Sequence, residues 1–177
     1  MPITLIVEDG TMPDGANSYV DIASADNYLA QRGASAWAEQ EDDEKASALI
    51  RAADTLNLFN WNGVAVESGR IMAWPRKHML FIDKSPVQEN FIPDQIKSAQ
   101  CEIAADVLLN QADPLAPVDT SRGAVTSEKV DVVSVTYATP ETNNYNGITG
   151  YPAVDGLLRP FLSGNDGKFG IIELGRG

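Results

Sequence analysis

The chain is poor in the residues from which active sites are built. It has one cysteine, Cys101, and one histidine, His78, among 177 residues. A lone cysteine excludes an intramolecular disulfide and suits synthesis in a reducing cytosol. One histidine and one cysteine cannot supply a His/Cys metal site of ordinary ligand count. Long apolar runs are missing as well. None approaches the roughly 18 residues that mark a membrane span, so no membrane partner is expected. The apolar residues 3–7 have no basic residue before them and run into Glu8-Asp9, unlike a secretory signal. Aromatic residues make up only 7%, so each of the three tryptophans has to be explained as core or as contact surface. Basic residues are few too, 13 against 25 acidic, for a formal net charge of -12. A protein that grips DNA by releasing counterions presents a basic face. Here such a face is necessarily small.

What remains is enough for a core. Hydrophobic residues are 44% of the chain, and its length suits one domain with appendages. The charge is uneven. Residues 1–60 hold eleven acids and three bases, residues 61–100 four acids and five bases, and residues 101–177 ten acids and five bases. Only the middle segment is not acidic, and at its centre stands Ile71-Met72-Ala73-Trp74-Pro75-Arg76-Lys77-His78-Met79-Leu80.

Hydrophobic periodicity predicts a mainly helical fold. Residues 3–7 read as a short strand, followed by turns at Glu8-Asp9-Gly10 and Pro13-Asp14-Gly15. Ser24 fits as the cap of a short helix over residues 25–32, with Tyr28 and Leu29 inward and Gly33 as its stop. A turn follows around Trp37. Asp42 or Asp43 caps a longer helix to about Leu58, whose Ala46, Leu49, Ile50, Ala53 and Leu56 share one face. The acids Glu39, Glu41, Asp42, Asp43 and Glu44 sit at its start, where the helix dipole favours negative charge. That explains them more simply than a cation loop, since the glycine-centred spacing of an EF-hand is absent. Residues 59–92 have no long period and read as a structured loop with short regular pieces. Pro93 suits the first turn of a helix to about Gln111, with Ile96, Ala99, Ile103 and Val107 on one stripe beside Cys101 and Ala104. Residues 124–138 predict a β-ribbon, with Val133, Val135 and Tyr137 on one side. Pro152 opens a last helix that Pro160 shortens. The expected architecture is a small bundle of about four helices with a ribbon, α+β being the alternative. It occupies residues 1–162, with an extended tail over 163–177.

Motifs of catalysis are missing. No GxSxG elbow, phosphate-binding lysine loop or GxGxxG between strand and helix occurs. His78 has no serine or cysteine in a recognisable nucleophile context, so a hydrogen-bonded or exposed loop histidine is expected. The expectation is a non-enzyme with no cofactor and no metal. Trp37, Trp61 and Trp74 have the chemistry to stack bases, with Arg76, Lys77 and Lys84 on phosphates. Against that stand the charge and the apolar flanks of Trp74, Met72 and Pro75, which fit a buried corner. The segment Phe169-Gly170-Ile171-Ile172-Glu173-Leu174 is compatible with two arrangements, folding back on its own domain or adding to a neighbour's sheet.

The order of several short stretches resembles a family. They are Val7-Glu8-Asp9-Gly10, Ala16-Asn17-Ser18-Tyr19-Val20, Ala25-Asp26-Asn27-Tyr28, Arg32-Gly33 with Trp37, Ala48-Leu49-Ile50-Arg51-Ala52-Ala53-Asp54, Trp61-Asn62-Gly63 and Ala73-Trp74-Pro75-Arg76. They continue with Ile92-Pro93, Val125-Thr126-Ser127-Glu128-Lys129-Val130 and Tyr151-Pro152-Ala153-Val154-Asp155-Gly156-Leu157-Leu158. This set resembles tailed-bacteriophage head–tail connector (adaptor) proteins, a group also labelled DnaT-like single-stranded-DNA-binding. The likeness covers most of residues 5–162. It implies a helical subunit in a ring, commonly a dodecamer, in the virion at the head–tail junction. The portal protein would lie above, a tail, stopper or tail-terminator protein below, and DNA would pass through without sequence-specific contact. The candidate subunit or portal contacts are Arg76 and Lys77 in the middle segment, Val133, Val135 and Tyr137 in the ribbon, and Phe169, Ile171, Ile172 and Leu174 in the tail. Whether Arg76 turns into its own subunit or across to the next is left open by the sequence.

Overall fold

The computed structural model describes residues 2–111, 128–130, 133–135 and 152–163. Among these, five helices surround one core: α1 (Ile22–Ala30), α2 (Ser35–Ala38), α3 (Asp42–Asn57), α4 (Asp94–Leu109) and α5 (Pro152–Leu158). Two small antiparallel sheets accompany them, β1 (Val64–Ala65) with β2 (Arg76–Lys77), and β3 (Glu128–Val130) with β4 (Val133–Val135). The mainly helical expectation holds. So does the ribbon, with Val130 opposite Val133 and Glu128 opposite Val135.

The helix starts show how local chemistry sets the elements. α1 begins at Asp21, whose carboxylate accepts the Ser24 N–H at 2.6 Å. The expected cap, Ser24, is therefore one turn inside the helix, and Asp21 takes its role because its extended backbone frees the carboxylate to reach forward. The helix stops before Gly33, whose φ of +76° is the left-handed conformation that closes a helix end. α3 starts at Glu41 with a reciprocal box: Glu41 holds the Glu44 N–H, and the Glu44 carboxylate returns to the Glu41 N–H. Its Ala46, Leu49, Ala53 and Leu56 are buried as the periodicity predicts, with Ile50 half-buried. α4 follows Pro93 and buries Ile96, Ala99, Cys101, Ile103 and Ala104.

The segment expected to be a strand at residues 3–7 is not one. Among the described residues no neighbouring strand lies beside it. Its backbone is held by a turn instead, with Asn17 N–H on the Ile6 carbonyl at 2.9 Å and Glu8 N–H on the Ser18 carbonyl at 2.7 Å, leaving a single bridge between Val7 and Ser18.

α3 and α4 form the spine. They run antiparallel, since Asp43 and Glu44 at the start of α3 share a groove with Val107 and Leu108 at the end of α4. Between them Gln100 is wholly buried and spends its amide in three directions. Its oxygen accepts the Tyr19 N–H at 2.8 Å, and its nitrogen donates to Ser18 Oγ and to the Leu49 carbonyl, both at 2.8 Å. α1 and α2 are joined to α3 through Asp26, which accepts both the Trp37 indole N–H at 2.7 Å and buried Lys45 Nζ at 3.1 Å. Trp37 is thereby core, with its one polar atom satisfied.

Candidate functional site

The non-acidic middle of the chain, residues 58–91, is a loop folded over the end of the α3–α4 spine. Three layers hold it. Innermost is a row of aromatic rings. Trp74, fully buried, meets Trp61 at 5.7 Å and Phe161 at 5.4 Å, both edge-on, and Phe161 meets Phe81 at 6.1 Å. Edge-to-face geometry sets the positive rim of one ring against the negative face of the next. The Trp61 N–H closes the row by donating to the Leu56 carbonyl in the last turn of α3 at 2.9 Å.

The second layer is polar. The Tyr19 hydroxyl donates to Asn57 Oδ1 at 2.8 Å and accepts the Trp74 N–H at 3.3 Å, while Asn57 Oδ1 also accepts the Ala73 N–H at 2.9 Å. Burial pushes the Tyr19 phenol far above its ordinary pKa, so it is a neutral structural hydroxyl. The third layer is Arg76. Its guanidinium donates to the carbonyls of Asn62 at 2.7 Å, Gly63 at 3.0 Å, Ala73 at 3.1 Å and Trp61 at 3.5 Å. Partial burial draws its pKa down from the ordinary arginine value. Arg76 thus turns inward onto its own chain and ties the 61–63 turn to the strand that carries it. Gly63, at φ +66°, is needed there: a side chain would collide with the Lys77 carbonyl and with Met79.

A second arginine braces the same loop to the N-terminus. Glu8 is completely buried and accepts the N–H groups of Gly10 at 2.9 Å and Met12 at 3.0 Å. Arg70 meets its other oxygen at 3.1 Å and also donates to the carbonyls of Met12 and Pro13, both at 2.9 Å. A buried carboxylate is tolerable only when so many donors converge on it.

The tryptophans are core, as the apolar flanks of Trp74 suggested, and the base-stacking chemistry weighed against that is not available at the surface. Trp37, Trp61 and Trp74 are all buried, and Arg76 is committed to backbone carbonyls. Beside its polar residues the loop exposes large aliphatic ones, Leu58, Val64, Ile71, Leu80 and Ile82, with Ile71 80% and Ile82 85% accessible. Sequence reasoning missed these residues, because a loop without periodicity gives no inward or outward face to count. His78 is exposed at φ +61°, and among the described residues its side chain makes no hydrogen bond that would activate it. Lys77 is half-buried on β2, beside Val64. A cleft of about 420 Å³ opens beside the loop, lined by Asn57, Asn60, Glu67, Arg70 and Arg76, but both arginines are already spent. Among the described residues no cluster of three or more His, Cys, Asp or Glu is placed to hold a metal ion. Of the other candidate contacts, Val133 and Val135 lie on β4, and Tyr137, Phe169, Ile171, Ile172 and Leu174 fall outside the described residues.

Residues 3–177 match a family model described as "Putative DnaT-like ssDNA binding protein". No curated protein and no solved structure matches the chain.

Proposed function

The chain belongs to that DnaT-like family, and from this premise we propose that it is a structural connector subunit of a tailed-phage particle. In this reading it is not an enzyme. Copies are made in the host cytoplasm and join as a ring below the portal protein in the virion. The ring extends the DNA channel and offers a platform to the tail or stopper protein. The observation that carries the reading is the fate of the loop: its tryptophans and its two arginines are spent inside the fold, while Leu58, Val64, Ile71, Leu80 and Ile82 face outward among its polar residues. Aliphatic side chains on a rigid frame suit protein contact. A net charge of -12 suits a wall past which phosphates must slide without adhering. Electron microscopy of particles or of portal complexes is the direct test, with a ring of this chain at the head–tail junction expected.

The family's description favours a second reading, a single-stranded-DNA-binding replication accessory protein. Exposed Lys84 and half-buried Lys77 would then carry the phosphate contacts. Titration of an oligonucleotide at two salt concentrations separates the two. Tight binding that weakens steeply with salt and falls in a K77A/K84A variant supports the second reading. Binding that is absent at low salt sinks it. Substituting Trp74 is unsuited to this test, because its indole belongs to the core.

A further inference from the structure

Two surfaces of the subunit are complementary and lie at opposite ends of it. The first is the turn at residues 81–85. It is tied by Phe81 N–H on the Ser85 carbonyl and Lys84 N–H on the Phe81 carbonyl, both at 2.9 Å, and by Asp83 accepting the Ser85 N–H at 2.9 Å and hydroxyl at 2.6 Å. Phe81 packs inward on Phe161, which leaves its neighbours Leu80 and Ile82 outward, with Lys84 exposed beside them at φ +65°. The turn is an apolar knob whose cation, Lys84, stands beside the Asp83 carboxylate that Ser85 engages.

The second surface is a groove of about 380 Å³ between the start of α3 and the end of α4. Ile3, Ala48, Val107 and Leu108 line it, and Asp43 and Glu44 stand at its rim. Exposed Glu39, Glu41 and Asp42 extend the negative charge beyond that rim. Arg51, at the other end, is already engaged in an interaction of its own. The groove is thus an apolar hole with an acidic rim.

The two cannot meet within one subunit. The knob joins the aromatic row that ends at Leu56, in the last turn of α3. The groove rim is at Asp43, thirteen residues and therefore about 20 Å of helix away. We propose that the 81–85 turn of one copy seats in the α3–α4 groove of a second copy, Ile82 entering the apolar floor and Lys84 facing Asp43 and Glu44. Such a contact joins different patches, so each copy keeps one knob and one groove free for the next, and closure gives a ring. The inference rests on the connector reading and names the surfaces by which its copies meet.

The test uses full-length protein carrying new cysteines, with native Cys101 buried and silent. I82C protein is mixed with S47C protein and oxidised, and the I82C/S47C double variant is oxidised alone. The expected results are a mixed disulfide dimer and, for the double variant, a covalent ladder. Adding Leu80→Asp or K84E to the I82C partner's turn should cut the mixed dimer about tenfold. A yield no higher than with the exposed control Q31C overturns the proposal. So does a disulfide within one copy between S47C and a cysteine at Ile171, which would assign the groove to the chain's own tail. If wild-type rings form without the 82–47 link, only the proposed surfaces fail. If the chain is absent from the head–tail junction, the connector reading itself fails.

Discussion

At the scale of single residues, the side chains that looked functional are the ones holding the fold together. Arg70 shows what this costs when broken. Its guanidinium is the cation that neutralises buried Glu8, and it also braces two backbone carbonyls. R70A would leave the Glu8 carboxylate with backbone donors alone. A loss of about 3–5 kcal/mol is expected, measured by urea unfolding. A loss below 1 kcal/mol would mean water reaches Glu8. Cys101 gives a second residue-scale expectation. Burial pushes its thiol up to about 12, so at neutral pH it is protonated as well as covered. Native protein should resist alkylation and react only on unfolding. Stoichiometric labelling of the folded chain would contradict this. The sequence made Cys101 legible as core through its place on a helical stripe. It could not show that Arg76 serves four carbonyls, because those carbonyls belong to loops with no periodic signature.

At the scale of elements, the long helices were legible and their ends only partly so. α3 and α4 are long enough for apolar spacing to name the buried face, and their residues are buried as that spacing requires. The start of α1 was misread because Asp21 and Ser24 are both good caps, and only the backbone conformation of Asp21 separates them. The strand expected at residues 3–7 failed for another reason: strand-forming composition needs a partner strand, and here the partner is a turn. The Asp21 cap is testable. Hydrogen bonds from Ser24, first its hydroxyl and then its N–H, hold the carboxyl below its ordinary value. A depressed carboxyl contributes stability above its unfolded pKa of about 3.9 and loses it as pH falls through the lower folded value. D21A is therefore expected to cost about 1 kcal/mol at pH 7. The difference from wild type should shrink as the pH drops below about 3.9. A difference that stays constant down to pH 2 would show that the charge is not what matters.

At the scale of the molecule, charge and apolar surface are divided between regions. The first sixty residues hold eleven acids against three bases, whereas residues 61–100 hold four acids and five bases. The division was visible in the sequence, but its meaning was not, because the exposure of Ile71, Leu80 and Ile82 depends on which neighbours the fold turns inward. On the connector reading, the tail over residues 163–177 is the remaining candidate for a contact with the portal. Deleting residues 164–177 is expected to leave a cooperatively folding subunit, since the core closes at Phe161 and Leu162. If the connector reading holds, the truncated chain is expected to be lost from particles, as read by gel analysis of purified virions. Normal incorporation would remove the tail from the portal contact.

The arginine that seemed to reach outward has one more consequence. Arg76 fastens the turn at 61–63 to β2, and the aromatic row fastens β2's neighbours to the end of α3. The outward loop is consequently ordered before it meets anything. A partner docking on it freezes little that was moving, so the entropic penalty of association falls mainly on whole-body motion. On the connector reading, such preordered parts would favour assembly that is reversible at each step, so that a misplaced copy leaves before the next one arrives.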